Sequence, residues 1–417
     1  MKTAFKESGY SIVQSGSVAD VIVINSCTVT SSGDSRVLSA LRKMRANSPN
    51  AVIALTGCYP QAFAAEASAV TEADIVIGTK ERLRLIEIVG DFLVCRERTV
   101  SISEYGADDK FEIVTCGEFT ENTRAFVKIQ DGCNRFCSYC IIPFARGRCR
   151  SKPIDILKTE LAEIAGNGTK EAVLTGINLA FYGREFGLNL ADAVETACGI
   201  EGLERIRLGS LEPDELCDGV LDRLAEQRKL CPQFHLSLQS GCDRTLKAMN
   251  RKYDAAEYRS LVEKLRKRFP DCAITTDIMI GFPGETDGDF EQSLEFVREI
   301  GFAKVHVFRY SRRKGTAADR MDGQIPENIK SERWHKMTEA AEHSRTEHLK
   351  GMVGKTVPVL FEKENCENFY RGYAPDYTPI KIPKKIIKNS LRNSIFYVII
   401  KGYDYDFCKG EFIDVCF

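Results

Sequence analysis

No apolar run in this sequence reaches the roughly 20 residues needed to cross a bilayer. The N-terminus, Met1-Lys2-Thr3-Ala4-Phe5-Lys6-Glu7, lacks both the apolar stretch and the cleavage site of a signal peptide. These absences predict a cytoplasmic protein with no membrane partner. Neither charge is in excess: 58 basic residues face 59 acidic ones, for a net charge of −1. That excludes a strongly basic molecule, although local basic patches remain open to it. Tandem repeats and low-complexity tracts are absent. The sequence does have 417 residues, 43% hydrophobic and 28% charged, as expected of a globular protein of two or three domains with a large core.

It also has 16 cysteines. Without a secretion signal these do not suggest a disulfide framework, and a reducing compartment keeps thiols available for metal. Most should be small buried side chains, since free cysteine packs like a hydrophobe. The task is to find the few with ligand spacing.

The fold class read from the chain is α/β with a small all-β end. Residues 1–94 alternate short apolar strands (21–25, 51–55 and 74–78) with helical stretches such as Arg36 to Arg45, the pattern of an open parallel sheet. Residues 95–124 lose periodicity and read as a connector with one or two strands. Residues 125–345 carry six apolar runs, at 126–130, 172–176, 205–209, 234–238, 274–280 and 304–309, separated by charged helical stretches. Six such β/α units predict a partial parallel (β/α)6 barrel, with its chemistry on the loops where strands end. Residues 350–417 turn to β-branched, alternating segments and read as a small all-β barrel.

The first barrel strand runs into Asp131-Gly132-Cys133-Asn134-Arg135-Phe136-Cys137-Ser138-Tyr139-Cys140. Three thiolates spaced C-x3-C-x2-C can bind three irons of a cubane cluster and leave the fourth iron open for chemistry. Zinc would call for a second C-x2-C pair nearby, and none is present. The later strands end in polar or glycine-rich segments. From these, Thr175, Asn178, Ser210, Glu212, Gln239, Asp277, Gly281 and Pro283, with Tyr139 of the cysteine loop, are the candidate cofactor-binding residues. Gln239 and Asp277 offer hydrogen bonds, while Gly281 and Gly284 allow close backbone approach.

The cysteine triad with its preceding aromatic resembles the radical S-adenosylmethionine (SAM) signature. The stretches Phe126–Arg148, Leu208–Pro213, His235–Gly241, Gly281–Thr286 and Tyr310–Thr316 are similar to those of the methylthiotransferases, across nearly the whole chain. Lys128-Ile129-Gln130 and Lys314-Gly315-Thr316 resemble its MtaB-type branch. The resemblance implies methylthiolation of carbon 2 of N6-threonylcarbamoyladenosine in the tRNA anticodon loop, using two [4Fe–4S] clusters and two molecules of SAM. No side chain is assigned a catalytic role. A flavodoxin- or ferredoxin-like electron donor, a monomer and no DNA partner are further expectations. The second cluster is expected at Cys27 (in Asn25-Ser26-Cys27-Thr28) and Cys58 (in Thr56-Gly57-Cys58-Tyr59-Pro60), each after a strand. The family's first cluster cysteine lies in a leading strand and loop with no counterpart here, so the N-terminal sheet is expected to be incomplete.

Arg146, Arg148, Arg312 and Arg313 are expected along the active rim, against RNA phosphates. The C-terminal module resembles an RNA-binding TRAM domain. Residues 381–401, which include Lys384 and Lys385 and no acids, suit an RNA backbone, and Tyr373 or Tyr377 could stack a base. Three alternatives stay open: methylthiolation of isopentenyladenosine in tRNA, methylthiolation of a ribosomal protein side chain, or an RNA-binding protein catalytically impaired by the missing cysteine.

Overall fold

The structure is a computed structural model that describes residues 1–14, 16–80, 82–113, 123–362, 368–384 and 390–413. Two compact units divide the chain discontinuously. The first contains residues 1–117, 131–150 and 311–320; the second contains 118–130, 151–310 and 321–417. The cysteine loop therefore groups with the N-terminal residues rather than with the barrel strand that leads into it.

The first unit is built on a parallel sheet of Val21–Ser26, Val52–Gly57, Ile75–Ile77 and Thr99–Ser101, paired in that order. Val52–Gly57 is buried along its whole length because both of its faces are covered. Val52, Ala54, Ile75 and Ile77 pack on Leu85, Ile88, Val89 and Phe92 of the helix Arg84–Cys95, whereas Ile53, Leu55 and Val76 pack with Leu41, Tyr59 and Ala67. Two-sided burial explains why these strands read as continuous apolar runs rather than alternating ones. The last strand, Thr99–Ser101, comes from the expected connector and extends this sheet. Val21–Ser26 forms one edge of it and is only partly buried.

The second unit holds six parallel strands in sequence order, interspersed with helices: Arg124–Lys128, Glu171–Thr175, Arg205–Leu208 continued by Ser210–Leu211, Gln233–Leu236, Ala273–Ile280 and Lys304–Arg309. Each expected run is a strand, within two residues at either end. Gly209 interrupts the third strand, and the hydrogen-bonded sheet divides there. Ala125, Val127, Ala172, Leu174, Ile206 and Leu208 belong to the core built with the helices, so alternate residues of these strands face the helices.

The helix Glu327–Met352 ties this barrel to the C-terminal module. Met337, Ala340 and Ala341 sit in the barrel core, while Leu349 and Met352 sit in the core of the C-terminal module. The boundary expected between 345 and 350 thus falls inside one continuous helix. The module is a closed five-stranded barrel of Thr356–Phe361, Phe369–Tyr373, Pro379–Pro383, Ile395–Tyr403 and Cys408–Phe412. Among the described residues, no helix is long and apolar enough to cross a membrane.

Candidate iron–sulfur and cofactor site

The cysteine loop is shaped by its backbone. Gly132 has φ 74°, and a Cβ there would lie 1.9 Å from the Arg148 carbonyl oxygen, so only glycine fits. Cys133 N donates to Gly147 O (3.0 Å) and Cys140 N to Cys137 O (2.9 Å). Phe136 is left-handed, at φ 49°, and its exposed ring meets Phe144 edge-on at 6.0 Å. The loop is pinned from a second segment, where Ala318 N donates to Ser138 O (2.7 Å). Arg135 N–H points at Cys133 Sγ from 3.5 Å, the kind of donor that stabilises a metal-bound thiolate.

Among the described residues, no group of three or more His, Cys, Asp or Glu side chains is gathered to hold a single ion. The loop does offer an all-thiolate donor set with an N–H aimed at sulfur, which fits an iron–sulfur cluster. Cys133, Cys137 and Cys140 would hold it. Its fourth iron, without a protein ligand, would be where SAM binds and is reductively cleaved. Tyr139 lies half-buried within this loop.

Cys27 and Cys58 immediately follow Ser26 and Gly57, which are register partners on adjacent parallel strands. The two thiols therefore leave the sheet side by side. Ser26 Oγ donates to Thr56 O (2.7 Å) and accepts from Tyr59 N (3.2 Å). Gly57 has φ 106°, and a Cβ there would lie 2.3 Å from Ser26 O. Cys27 is exposed and Cys58 buried. A second cluster would find two thiolates here.

Two of the basic residues expected at RNA pack inward beside these strand ends. Arg313, expected at RNA, is buried and bonded to Thr28 Oγ1 and Asp34 Oδ2, each at 2.6 Å. Arg146 also turns inward, with Nε 3.2 Å from Cys58 Sγ and Nη1 3.5 Å from Asp131 Oδ2. Burial opposes its charge, but Asp131 and Cys58 raise its pKa above that of ordinary arginine. Arg148 is exposed; Arg312 is exposed but paired with Asp319 at 2.5 Å.

The barrel-strand candidates lie in the second unit. Thr175 Oγ1 donates to Val127 O (3.2 Å), and Asn178 N to Gln130 Oε1 (2.7 Å). Ser210 is exposed beside His235 in register. Glu212 is held by Arg251 at 2.6 Å. Gln239 is left-handed, at φ 70°, with its amide on Asp277 O (2.8 Å). Asp277 Oδ2 is 3.3 Å from His235 Nε2, and His235 Nδ1 pairs with Thr275 Oγ1 at 3.0 Å. His306, the register partner of Asp277, lies 6.0 Å from the His235 ring; burial and then Lys304 lower its pKa. Sequence reasoning did not name His235 or His306 as candidates beside Asp277; the available signal was a lone imidazole within each apolar strand. Gly281 has its left-handed φ of 72°, but the space a Cβ would occupy belongs to Lys330 Cγ, 2.3 Å away, rather than to a ligand. Pro283 is buried.

Tyr373 and Tyr377 do not present open faces to a base. They stack on each other at 4.8 Å, and Arg124 and Arg207 lie over their rings at 4.3–5.2 Å. Lys384 is half-buried, with Nζ over the Tyr370 ring at 5.5 Å, and Lys385 lies outside the described residues.

Residues 127–297 match the radical SAM superfamily, and residues 1–78 match the Uncharacterized protein family UPF0004. The chain is 38% identical to the threonylcarbamoyladenosine tRNA methylthiotransferase MtaB of Thermotoga maritima, over 89% of this chain and 85% of that protein. The Bacillus subtilis MtaB is 35% identical over 99% of this chain and 92% of its own length. The chain belongs to the radical-SAM methylthiotransferase family. It is therefore a transferase, and methylthiotransferases of this family use SAM and [4Fe–4S] clusters. A tRNA-2-methylthio-N(6)-dimethylallyladenosine synthase of Caldicellulosiruptor saccharolyticus is 36% identical, over 85% of this chain and 76% of that protein. Among solved structures, the radical SAM methyltransferase TsrM of Kitasatospora setae superposes with a TM-score of 0.54 at 13% identity, over 72% of this chain and 65% of its own. That likeness shows the radical-SAM fold of this methylthiotransferase.

Proposed function

We propose that this enzyme methylthiolates carbon 2 of N6-threonylcarbamoyladenosine in the anticodon loop of tRNA. The supporting observation is near-full-length similarity: three proteins named for that reaction are 35–38% identical over 85–92% of their own lengths. The adenine C2–H bond is unactivated, and no side-chain acid or base removes it, so cofactors must carry the chemistry. A bound cluster and SAM together supply a 5′-deoxyadenosyl radical. The residues' part is positioning. Cys133, Cys137 and Cys140 would hold that cluster with one iron left to SAM. Thr175, Asn178, Ser210, Glu212, Gln239, Asp277 and Pro283 would be the contacts for SAM and the base at the strand-end rim. Arg148, Arg312, Lys384 and Lys385 meet phosphates. Reducing electrons come from a flavodoxin- or ferredoxin-like protein of the cytoplasm.

The test is mass spectrometry of tRNA nucleosides from a strain lacking its own enzyme and carrying either this gene or its C137A variant. The 2-methylthio derivative of threonylcarbamoyladenosine is expected with the first and absent with the second. A methylthio derivative of dimethylallyladenosine instead would assign the substrate of the Caldicellulosiruptor relative.

A further inference from the structure

The last three barrel strands, Gln233–Leu236, Ala273–Ile280 and Lys304–Arg309, are parallel neighbours in register. Phe234, Ile274, Ile278 and Val305 pack into the core with the helices, so the residues alternating with them turn to the opposite face. A row of rings stands on that face. Phe308, one residue from the end of its strand, is 50% exposed. His306 lies against it, with centroids 6.5 Å apart and planes 24° from parallel, and His235 follows 6.0 Å from His306. The hydrogen bonds among these side chains have a direction. Gln233 Nε2 can only donate, and it meets Thr275 Oγ1 at 3.3 Å. The Thr275 hydrogen is then left for His235 Nδ1 (3.0 Å), and His235 carries its own hydrogen on Nε2, 3.3 Å from Asp277 Oδ2. Asp277 Oδ1 has no hydrogen-bond partner among the described residues, and its side chain is 26% exposed. Arg309, next along the strand, is exposed, with Glu327 at 3.7 Å.

We propose that this face seats the target adenine of an RNA strand: Phe308 stacks on the base, Asp277 accepts its exocyclic N–H, and Arg309 meets a flanking phosphate. An aromatic face beside a cation is how single-stranded nucleic acid is held, and stacking is open to any base. The carboxylate adds a preference, because it accepts from an amino edge and has nothing to give a carbonyl edge. His235 is the positioning residue that fixes the carboxylate. Lys304–Arg309 is the end strand of its sheet, open on one side to a base swung out of a loop. Charge favours an RNA base over the adenine of SAM here, since Arg309 suits a phosphate and SAM carries a sulfonium cation. The inference rests on the substrate being a tRNA adenosine. It does not depend on which group N6 bears, because threonylcarbamoyl and dimethylallyl adenosine each keep one N6–H.

The experiment measures binding of anticodon stem-loop RNA to the full chain by fluorescence anisotropy. Three loops differ only at the target nucleotide: adenosine, purine riboside (adenosine without its amino group) and an abasic ribose. The unmutated protein should bind the adenosine loop about tenfold more tightly than the abasic loop, within the range of one base–aromatic stack. F308A should lose that ratio and F308W should keep it. Neither should change the salt dependence, because no charge is removed. The unmutated protein should also prefer adenosine to purine about fivefold, as one hydrogen bond allows, and D277A should bind the two alike. Equal binding of the adenosine and abasic loops by the unmutated protein, or the same ratio in F308A, overturns the inference. So does a loss of S-adenosylhomocysteine binding in F308A with the RNA ratio retained, which would give the ring to the cofactor. An unmutated protein that binds none of the three loops overturns the tRNA reading itself, so the two failures are told apart.

Discussion

At the scale of single residues, environment separates the cysteines into two groups. Burial pushes the thiols of Cys198, Cys231 and Cys272 up to about 11 and that of Cys408 up to about 12. These are packing residues with almost no thiolate near neutrality. Alkylation of the metal-free protein at pH 8, mapped by mass spectrometry, should label exposed Cys27, Cys95 and Cys217 first and leave those four unmodified. Spacing alone singled out Cys133, Cys137 and Cys140, because ligand spacing is a property of the chain. Spacing could not show that Arg146 and Arg313 turn away from solvent, because their partners Cys58 and Asp34 lie 88 and 279 residues away. Gly132 makes a second prediction. G132A cannot avoid the Arg148 carbonyl, so the purified variant should carry less iron and give little 5′-deoxyadenosine under reduction, while its far-ultraviolet circular dichroism stays close to that of the parent.

At the scale of elements, the starts of the first three barrel strands hold a buried ionic group. Glu171 has no exposed surface and meets Arg124 Nε at 2.7 Å, Arg207 Nε at 3.0 Å and Arg205 Nη1 at 3.8 Å. The same arginines reach the C-terminal barrel. Arg205 donates to Tyr373 O (3.0 Å) and Pro358 O (2.7 Å), Arg207 donates to Pro375 O (2.9 Å), and Arg124 pairs with Glu362 at 2.6 Å. Tyr373 and Tyr377 thus serve as a docking surface within this unit. Burial by itself would raise the Glu171 carboxyl; Arg207 and then Arg124 outweigh it and hold the pKa below the ordinary 4.5. A depressed pKa contributes stability that is fully present above 4.5 and lost as pH falls through the lower folded value. Thermal melting should therefore show an acid-side loss below about pH 4.5 that E171Q flattens. E171A, which strands three buried guanidinium groups, should cost about 3–5 kcal/mol in urea unfolding of this unit. The strands themselves were legible because each run is short, rich in apolar residues and bounded by charged helical stretches. The arginines at their starts carried no pattern that would mark them as a docking site.

At the scale of the whole molecule, a net charge of −1 leaves no general attraction for RNA, so binding must come from local cations. Each phosphate-bound cation contributes about 0.7 to the slope of log affinity against log salt for single-stranded RNA. R148A should weaken tRNA binding and reduce that slope by about this amount, whereas R313A should leave the slope unchanged and lower the melting temperature instead. The order of elements and the family were determined by sequence alone, because local periodicity and motif identity are written in consecutive residues. The tertiary structure decided the rest. It placed residues 131–150 and 311–320 with the N-terminal sheet, turned Arg146 and Arg313 inward, and spent Tyr373 and Tyr377 on docking. Whether a cation faces water, a thiol or an aromatic ring depends on which distant segment packs against it, and one-dimensional spacing does not encode that partner.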